Sequence, residues 1–493
     1  MKTVRRKIVD RSLEGLLPIA YEARQELVWD RYEKMQPQCG FGELGLSCRF
    51  CLQGPCRIDP FGAKAGAGIC GRTDLEMAAG GLLEMTGRGL AVRLEELNGL
   101  LAQLPSGSPA AAAAREFIAG TGACLSARLS PKLSTTLRQR NLLHDSSYAL
   151  MTKVAAALSG PGRQDARATM NLALQTGLAS VLTESVIQQC REELFGVEVI
   201  LTGEVGMDAL QLSPVNILTV GEFPVRFLNE LLAATGEGIS VFGVANHYPK
   251  ILPISPEAAA ELLAFTDRIS VAVFSENYEG HPLRALLTER GVTVLNARES
   301  PVRQVVQAAM ERHKPGRVYD PRSIYQVTFH FGLGMIDKLA ASAPQGLVLF
   351  AGEANARATI GGATEEWLNE CKRRGLTTLT FGETAVIAAG IGAQATATLA
   401  DQAGAAALYL LNKGHEVLVV YPEITRAESV AQAIGCAAMG LNVLVGQALP
   451  FWLTGGLNLL CAEALAGGRL LADPQGLRAA EALAAAVHSG QEA

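Results

Sequence analysis

The chain is short of three things. Aromatic residues fill 5% of its 493 positions, charged residues 18%, and there are 7 histidines. With a net charge of -5 and no Lys/Arg run interleaved with aromatics, a nucleic-acid footprint is excluded, because strand binding needs a basic groove and stacking rings. Sparse charge combined with 49% apolar residues also excludes a disordered chain and fits a large, well-covered interior. The stretch MKTVRRKIVDRSLEGLLPIA lacks an apolar core with a small-residue cleavage site, so it does not read as a secretion signal, and a cytoplasmic location is expected. Long apolar runs are interrupted too. Ser429 to Ala462 carries no charge, but Asn442, Gln447, Pro450 and the Gly455–Gly456 pair break it, so it reads as buried strand and helix and not as a membrane span.

What is present is organised in two textures. Up to about Leu194 alanine, leucine and charged residues recur at helical spacing, as in Ala91 to Leu101. From Gly196 onward short β-branched runs each lead into a glycine-containing corner and then an alanine/leucine helix, the signature of parallel α/β units. A charged, proline-containing segment, Arg312 to Arg322, reads as a boundary. The expected fold class is α/β: a helical N-terminal domain over residues 1–195, then two Rossmann-like parallel α/β domains over 196–315 and 316–493.

Five of the 10 cysteines, Cys39, Cys48, Cys51, Cys56 and Cys70, crowd one segment, which in a reducing compartment points to metal before disulfide. Four follow C-x2-C-x4-C-x13-C through the Gly- and Pro-rich stretch CRFCLQGPCRIDPFGAKAGAGICG. Four thiolates on such a loop can each ligate one iron of a [4Fe-4S] cubane, while glycines let backbone N–H groups approach the sulfur. The alternative is a structural zinc site, although zinc sites usually come as two C-x2-C pairs. Cys124, Cys190, Cys371, Cys436 and Cys461 match no ligand spacing and read as buried small apolar residues.

The run VWDRYEKMQPQCGFGELGLSCRFCLQGPCRIDPFG, Val28 to Gly62, resembles the N-terminal segment of the nickel-iron carbon monoxide dehydrogenases, in the hybrid-cluster (prismane) superfamily. The resemblance implies that Cys48, Cys51, Cys56 and Cys70 hold a [4Fe-4S] relay cluster. It also implies a homodimer with a second cluster shared across the interface and a ferredoxin-like electron partner. Cys39 matches one ligand of that shared cluster, but the other position is Ser47, a far harder ligand. Cys39 therefore reads either as a surviving ligand or as a free thiol near the interface.

The resemblance continues through the α/β half, where the family's nickel-iron cluster ligands are replaced. LVLFAGEAN, LTTLTFGETA and VLVVYPEIT put Glu353, Glu383 and Glu423 at cysteine positions, and VNILTVGEFP puts Glu222 at a histidine position. In FGVANHYPK a cysteine is expected near Asn246, beside His247; in VAVFSENYEG another falls within Ser275 to Tyr278. The family's histidine-rich proton path, expected over Met85 to Leu94, contains no histidine.

Read by itself, each glutamate closely follows an expected strand, where parallel sheets gather ligands, and Glu204 and Glu276 share the pattern. An acid there often serves the start of the next helix instead. His247 and His281 are either metal ligands or ordinary hydrogen-bonded side chains. Several carboxylates brought together cannot all ionise without a cation, and hard oxygen ligands favour iron or manganese. The leading expectation is a redox enzyme acting on a small molecule through a [4Fe-4S] relay and an oxygen-ligated iron (or manganese) centre formed by Glu222, Glu353, Glu383, Glu423 and His247, inactive toward CO. Two alternatives stand beside it. One is a non-catalytic electron-transfer or redox-sensing protein whose glutamates pair with basic residues such as Arg357 or Arg426. The other is an anaerobic carbon monoxide dehydrogenase.

Overall fold

The computed structural model describes residues 6–446 apart from 60–61, 63–65, 121–127, 145, 161, 198, 246–247, 255–256, 313–323, 344–345, 393–396 and 400–401, together with 470–472. Asn246, His247, Cys124, Cys461, the boundary segment 313–322 and the end of the Ser429–Ala462 run lie outside the described residues.

The helical half is built on two long helices, Asp74–Leu101 and Ala166–Phe195. Local chemistry sets where they begin. Thr73 and Glu76 form a reciprocal capping box at the first, and the Asp165 carboxylate accepts from the N–H groups of Arg167 and Ala168 at the second.

Two sheets follow. The smaller comprises β4 (Val215–Val220), β5 (Ile239–Val244), β6 (Leu252–Pro253), β7 (Val271–Phe274) and β8 (Thr293–Asn296) in the order β6-β5-β4-β7-β8, with parallel pairings throughout. The larger has eight strands: β3 (Ile200–Val205), β9 (Tyr325–His330), β10 (Leu347–Phe350), β11 (Thr377–Phe381), β12 (Ala397–Leu399), β13 (Val417–Tyr421), β14 (Asn442–Val445) and β15 (Leu470–Ala472), ordered β15-β14-β13-β10-β11-β12-β9-β3. β4, β10 and β13 are buried at every position, as parallel strands covered on both faces must be.

The mixed helical and parallel-sheet α/β class is as the sequence suggests. β3 falls in the stretch 196–315, yet it pairs antiparallel with β9 and so closes the edge of the larger sheet. Glu204 accordingly sits inside a strand opposite Gln326, not at a strand end. The helical half and the larger sheet also share one core: Leu82, Leu178 and Val181 pack in the same cluster as Leu349, Val419 and Val443. The first described residues pack elsewhere. Ile8, Leu13 and Trp29 join the core of the smaller sheet, and Ile8 bridges to Ile360 beyond β10.

Candidate functional site

The cysteine segment is organised by a two-stranded antiparallel ribbon of β1 (Ser47–Cys48) and β2 (Cys56–Arg57), which places Cys48 opposite Cys56. Cys51 occupies the intervening turn, where the Gly54 N–H closes on its carbonyl at 3.2 Å. A Cβ on Gly54 would lie 3.2 Å from the Cys48 carbonyl and 3.3 Å from the Cys56 nitrogen, so a side chain there would press on the loop backbone.

Backbone N–H groups aim at three of the sulfurs. Ile69 donates to Cys56 Sγ at 3.5 Å, Phe50 to Cys48, and Gly162 and Arg72 to Cys70. Those two N–H bonds, with the Arg72 charge and a Cys51 contact, hold the Cys70 thiol below its ordinary pKa. Burial pushes Cys48 up, against the Phe50 N–H and the Arg72 charge, and the proximity of Cys56 and Cys70 pushes it further. The Cys48–Cys56 pairing, the N–H donors and the buried Arg72 two residues after Cys70 suit the chemistry of a [4Fe-4S] cluster, in which each thiolate bonds a different iron and excess negative charge must be balanced. Cys39 and Ser47 are exposed, whereas Cys48 and Cys56 are buried and Cys51 and Cys70 partly so.

The second site lies at the carboxyl ends of the larger sheet. β13, β10 and β11 are neighbours, and Val420, Phe350 and Thr380 share one register row. Glu423, Glu353 and Glu383 each stand three residues past that row, so parallel pairing brings the three acids together as the sequence reading requires. A positive φ of 108° at Gly352 lets the corner fold so tightly that a Cβ there would lie 2.1 Å from the Glu423 carbonyl oxygen. Glu222 follows β4 in the other sheet and is exposed, but it lines the same cavity as Glu353 and Glu383.

These carboxylates already hold hydrogen bonds. Glu423 accepts from the Asn355 N–H at 2.9 Å and the Gly361 N–H at 3.0 Å. Glu383 accepts from the Ala354 N–H at 2.7 Å. Glu353 accepts from the N–H groups of Thr425 and Arg426 at 3.1 and 3.3 Å and from the Ser429 hydroxyl. Burial raises Glu353 against the nearby Arg426 charge, and burial with the Glu383 charge pushes Glu423 up to about 7. Among the described residues no group of three or more His, Cys, Asp or Glu side chains is arranged to hold a metal ion. The acids tie neighbouring loops together through N–H bonds.

The other candidates resolve individually. His281 caps the helix Pro282–Glu289, its Nδ1 accepting from the Leu283 N–H at 3.2 Å. Glu276 pairs in solvent with Arg298 at 2.8 Å, and Arg357 reaches back to Glu43 at 2.8 Å. Cys190, Cys371 and Cys436 are buried as apolar residues, with burial raising each thiol.

Around the acids lies a cavity of about 750 Å³ between the helical half and both sheets. Its described lining contains no cysteine and no histidine. The lining combines the aromatic rings of Phe223, Tyr248, Tyr278, Phe329 and Phe381 with the polar groups of Gln103, Glu353, Glu383, Arg426, Ser429 and Gln432. Behind it the fully buried Glu184 accepts both contacts of the Gln432 amide at 2.8 and 2.9 Å, and the Tyr421 hydroxyl donates to Gln432 Oε1 at 2.6 Å. Sequence reasoning missed Glu184, Gln432 and Arg72; the one available signal was polarity inside otherwise apolar or small-residue stretches.

Chemically and architecturally, this is an iron-sulfur-type cysteine loop set on a helical layer and two parallel sheets whose carboxyl ends share a cavity. Eighty-seven residues are 53% identical to carbon monoxide dehydrogenase 1 of Carboxydothermus hydrogenoformans, covering 18% of this chain and 14% of that protein. Eighty residues are 49% identical to the carbon monoxide dehydrogenase of Rhodospirillum rubrum, covering 16% and 12%. The aligned stretches therefore span well under a fifth of those relatives. The fold matches carbon monoxide dehydrogenase IV of Carboxydothermus hydrogenoformans with a TM-score of 0.84 and 19% identity over 98% of both chains. It matches a nickel-free carbon monoxide dehydrogenase of Thermococcus sp. AM4 with a TM-score of 0.84 and 16% identity, over 99% of this chain and 97% of that one. No family model matches. Over that segment the chain is similar to carbon monoxide dehydrogenases, and over nearly its whole length it shares their fold.

Proposed function

We propose that the chain is a redox enzyme on the carbon monoxide dehydrogenase scaffold, in which Cys48, Cys51, Cys56 and Cys70 hold a [4Fe-4S] relay and the strand-end cavity takes a small-molecule substrate. The cluster supplies one-electron transfer. The chain's own residues do the rest: N–H groups and Arg72 favour anionic sulfur, and the cavity walls bind and orient the substrate. A volume of about 750 Å³ lies in the range of organic-ligand sites and far exceeds what a diatomic gas requires. Glu353 lines the cavity and burial raises its pKa, which makes it the acid placed to exchange a proton with the substrate. A homodimer and a ferredoxin-like electron partner belong to the same reading.

The observation that carries this is the thiol- and histidine-free described lining of the cavity, beside an intact four-cysteine loop. Soft sulfur ligands are what a nickel-iron-sulfide cluster requires, and oxygen does not replace them. Nickel-loaded protein assayed with CO and a dye acceptor is expected to show no turnover; turnover would establish the carbon monoxide dehydrogenase reading instead. Anaerobically prepared protein is expected to hold about four irons per chain, the complement of one cubane.

A carboxylate metal centre is the second reading, favoured by the convergence of Glu353, Glu383 and Glu423 on one register row. It requires iron or manganese beyond the relay's complement that is lost in Glu353→Ala and Glu383→Ala. A non-catalytic electron-transfer protein would hold the relay iron and bind no substrate in the cavity.

A further inference from the structure

We infer that Arg72 is the built-in counter-charge of the cluster held by Cys48, Cys51, Cys56 and Cys70, a positioning residue that raises the cluster's reduction potential. The inference rests on the relay reading above and adds a residue to it.

Arg72 is 1% exposed and stands among the largest fully buried side chains of the protein. Its guanidinium is held on one side by neutral groups only. Nε donates to the Gly162 carbonyl at 3.1 Å, and Nη2 to the carbonyls of Gly160 at 2.8 Å and Ala157 at 3.4 Å. The Phe50 ring lies 5.3 Å from Cζ. Nη1 is buried and has no hydrogen-bond partner. No carboxylate among the described residues pairs with Arg72. The nearby Glu76 accepts from Thr73 and Gln164 and lies 3.6 Å from Arg163 instead.

A guanidinium removed from water without a counter-ion costs several kcal/mol, so such an arrangement persists only where an anion compensates it. The anion on this side of the molecule is the cysteine set: Arg72 follows Cys70 by two residues, its guanidinium lies against Phe50 between Cys48 and Cys51, and its carbonyl accepts at 2.8 Å from Gly68, whose neighbour Ile69 donates to Cys56 Sγ. A cubane with four thiolates is negative when oxidised and gains one more negative charge on reduction. A buried positive charge therefore stabilises the reduced state more than the oxidised one. Arg49 and Arg57 flank the same cysteines but are exposed, where water and salt screen them. The three carbonyls fix the guanidinium plane, so the charge is placed and not merely near.

The test uses the full chain, reconstituted anaerobically, with the cluster followed by EPR during a redox titration. Arg72→Gln is expected to lower the reduced-to-oxidised ratio at fixed potential at least tenfold, a fall in midpoint of about 59 mV for a one-electron couple. Arg72→Lys, which keeps the charge, is expected to lose less than half of that shift. Wild-type protein labelled with guanidino-15N arginine is expected to show nitrogen hyperfine coupling to the reduced cluster, a measurement that stands even if the Gln variant fails to assemble. An Arg72→Gln reduced-to-oxidised ratio less than tenfold below wild type, a Lys variant that falls as far as Gln, or absent coupling overturns the counter-charge while leaving the relay intact. A wild-type chain that takes up zinc or no cluster overturns the relay reading and this inference together.

Discussion

At the scale of single residues, the acid corner shows how one residue type serves different ends. Glu423 is 3% exposed and its two oxygens accept N–H bonds, yet burial and Glu383 carry its pKa to about 7. Its folded pKa thus lies above the unfolded value, so the folded state keeps a proton that the unfolded chain releases. Stability should therefore fall as pH rises from about 4.5 to about 7 and level off above, by on the order of 3 kcal/mol. Urea unfolding at fixed cluster content is expected to give a higher midpoint at pH 5 than at pH 8. Glu423→Gln should flatten that dependence while losing about 1–2 kcal/mol, because the amide can accept only one of the two N–H bonds. The position of each glutamate at a strand end was legible in the sequence. What its oxygens touch was not, because the Asn355, Gly361 and Thr425 N–H groups belong to neighbouring loops folded against it.

At the scale of elements, the cavity floor depends on how closely helices approach. The helix Ala427–Ala438 carries Ser429 and Gln432 and packs on Ala166–Phe195 through glycines. A Cβ at Gly435 would stand 2.2 Å from the Gly177 carbonyl oxygen, and one at Gly89 would stand 2.5 Å from that of Ala427. Backbone cannot swing aside as a side chain does. Gly435→Ala is expected to destabilise the protein by about 2–4 kcal/mol, read as a lowered thermal midpoint, and to displace Gln432 from Glu184. Such helices are visible in sequence as alanine/leucine repeats, but a glycine within one reads only as a local weakness until its partner backbone is known. Strand β3 gives the same lesson: its β-branched run predicts a strand, while its pairing across more than a hundred residues to β9 follows from which edge was left uncovered.

At the scale of the whole molecule, the segment that carries the cysteines also carries unusual exposed apolar side chains. Leu52 is 105% exposed, Ile69 69% and Met35 68%, on either side of the exposed Cys39. Large apolar groups so fully in water, gathered on one segment, mark a surface that another protein covers. A second copy of this chain is the partner proposed. Light scattering of the reconstituted protein is expected to give a dimer, and Leu52→Asp with Ile69→Asp to give monomer with the cluster retained. A monomeric wild type would remove the homodimer from the reading. Among the described residues no helix is long and apolar enough to cross a membrane, in keeping with the interrupted run at Ser429–Ala462, whose described part is the buried helix and strand expected of it.

By itself the sequence determined what depends on near neighbours: the four-cysteine loop with its glycines, the alternation of strand, corner and helix, and three acids that parallel register would align. Tertiary structure alone decided how those acids are satisfied, which sheet β3 joins, that the helical half shares a core with the larger sheet, and that Arg72 is buried with one N–H group unmatched. The reason is physical. Burial and hydrogen-bond partnership are set by segments far apart in the chain, whereas spacing and periodicity record only what lies a few residues away.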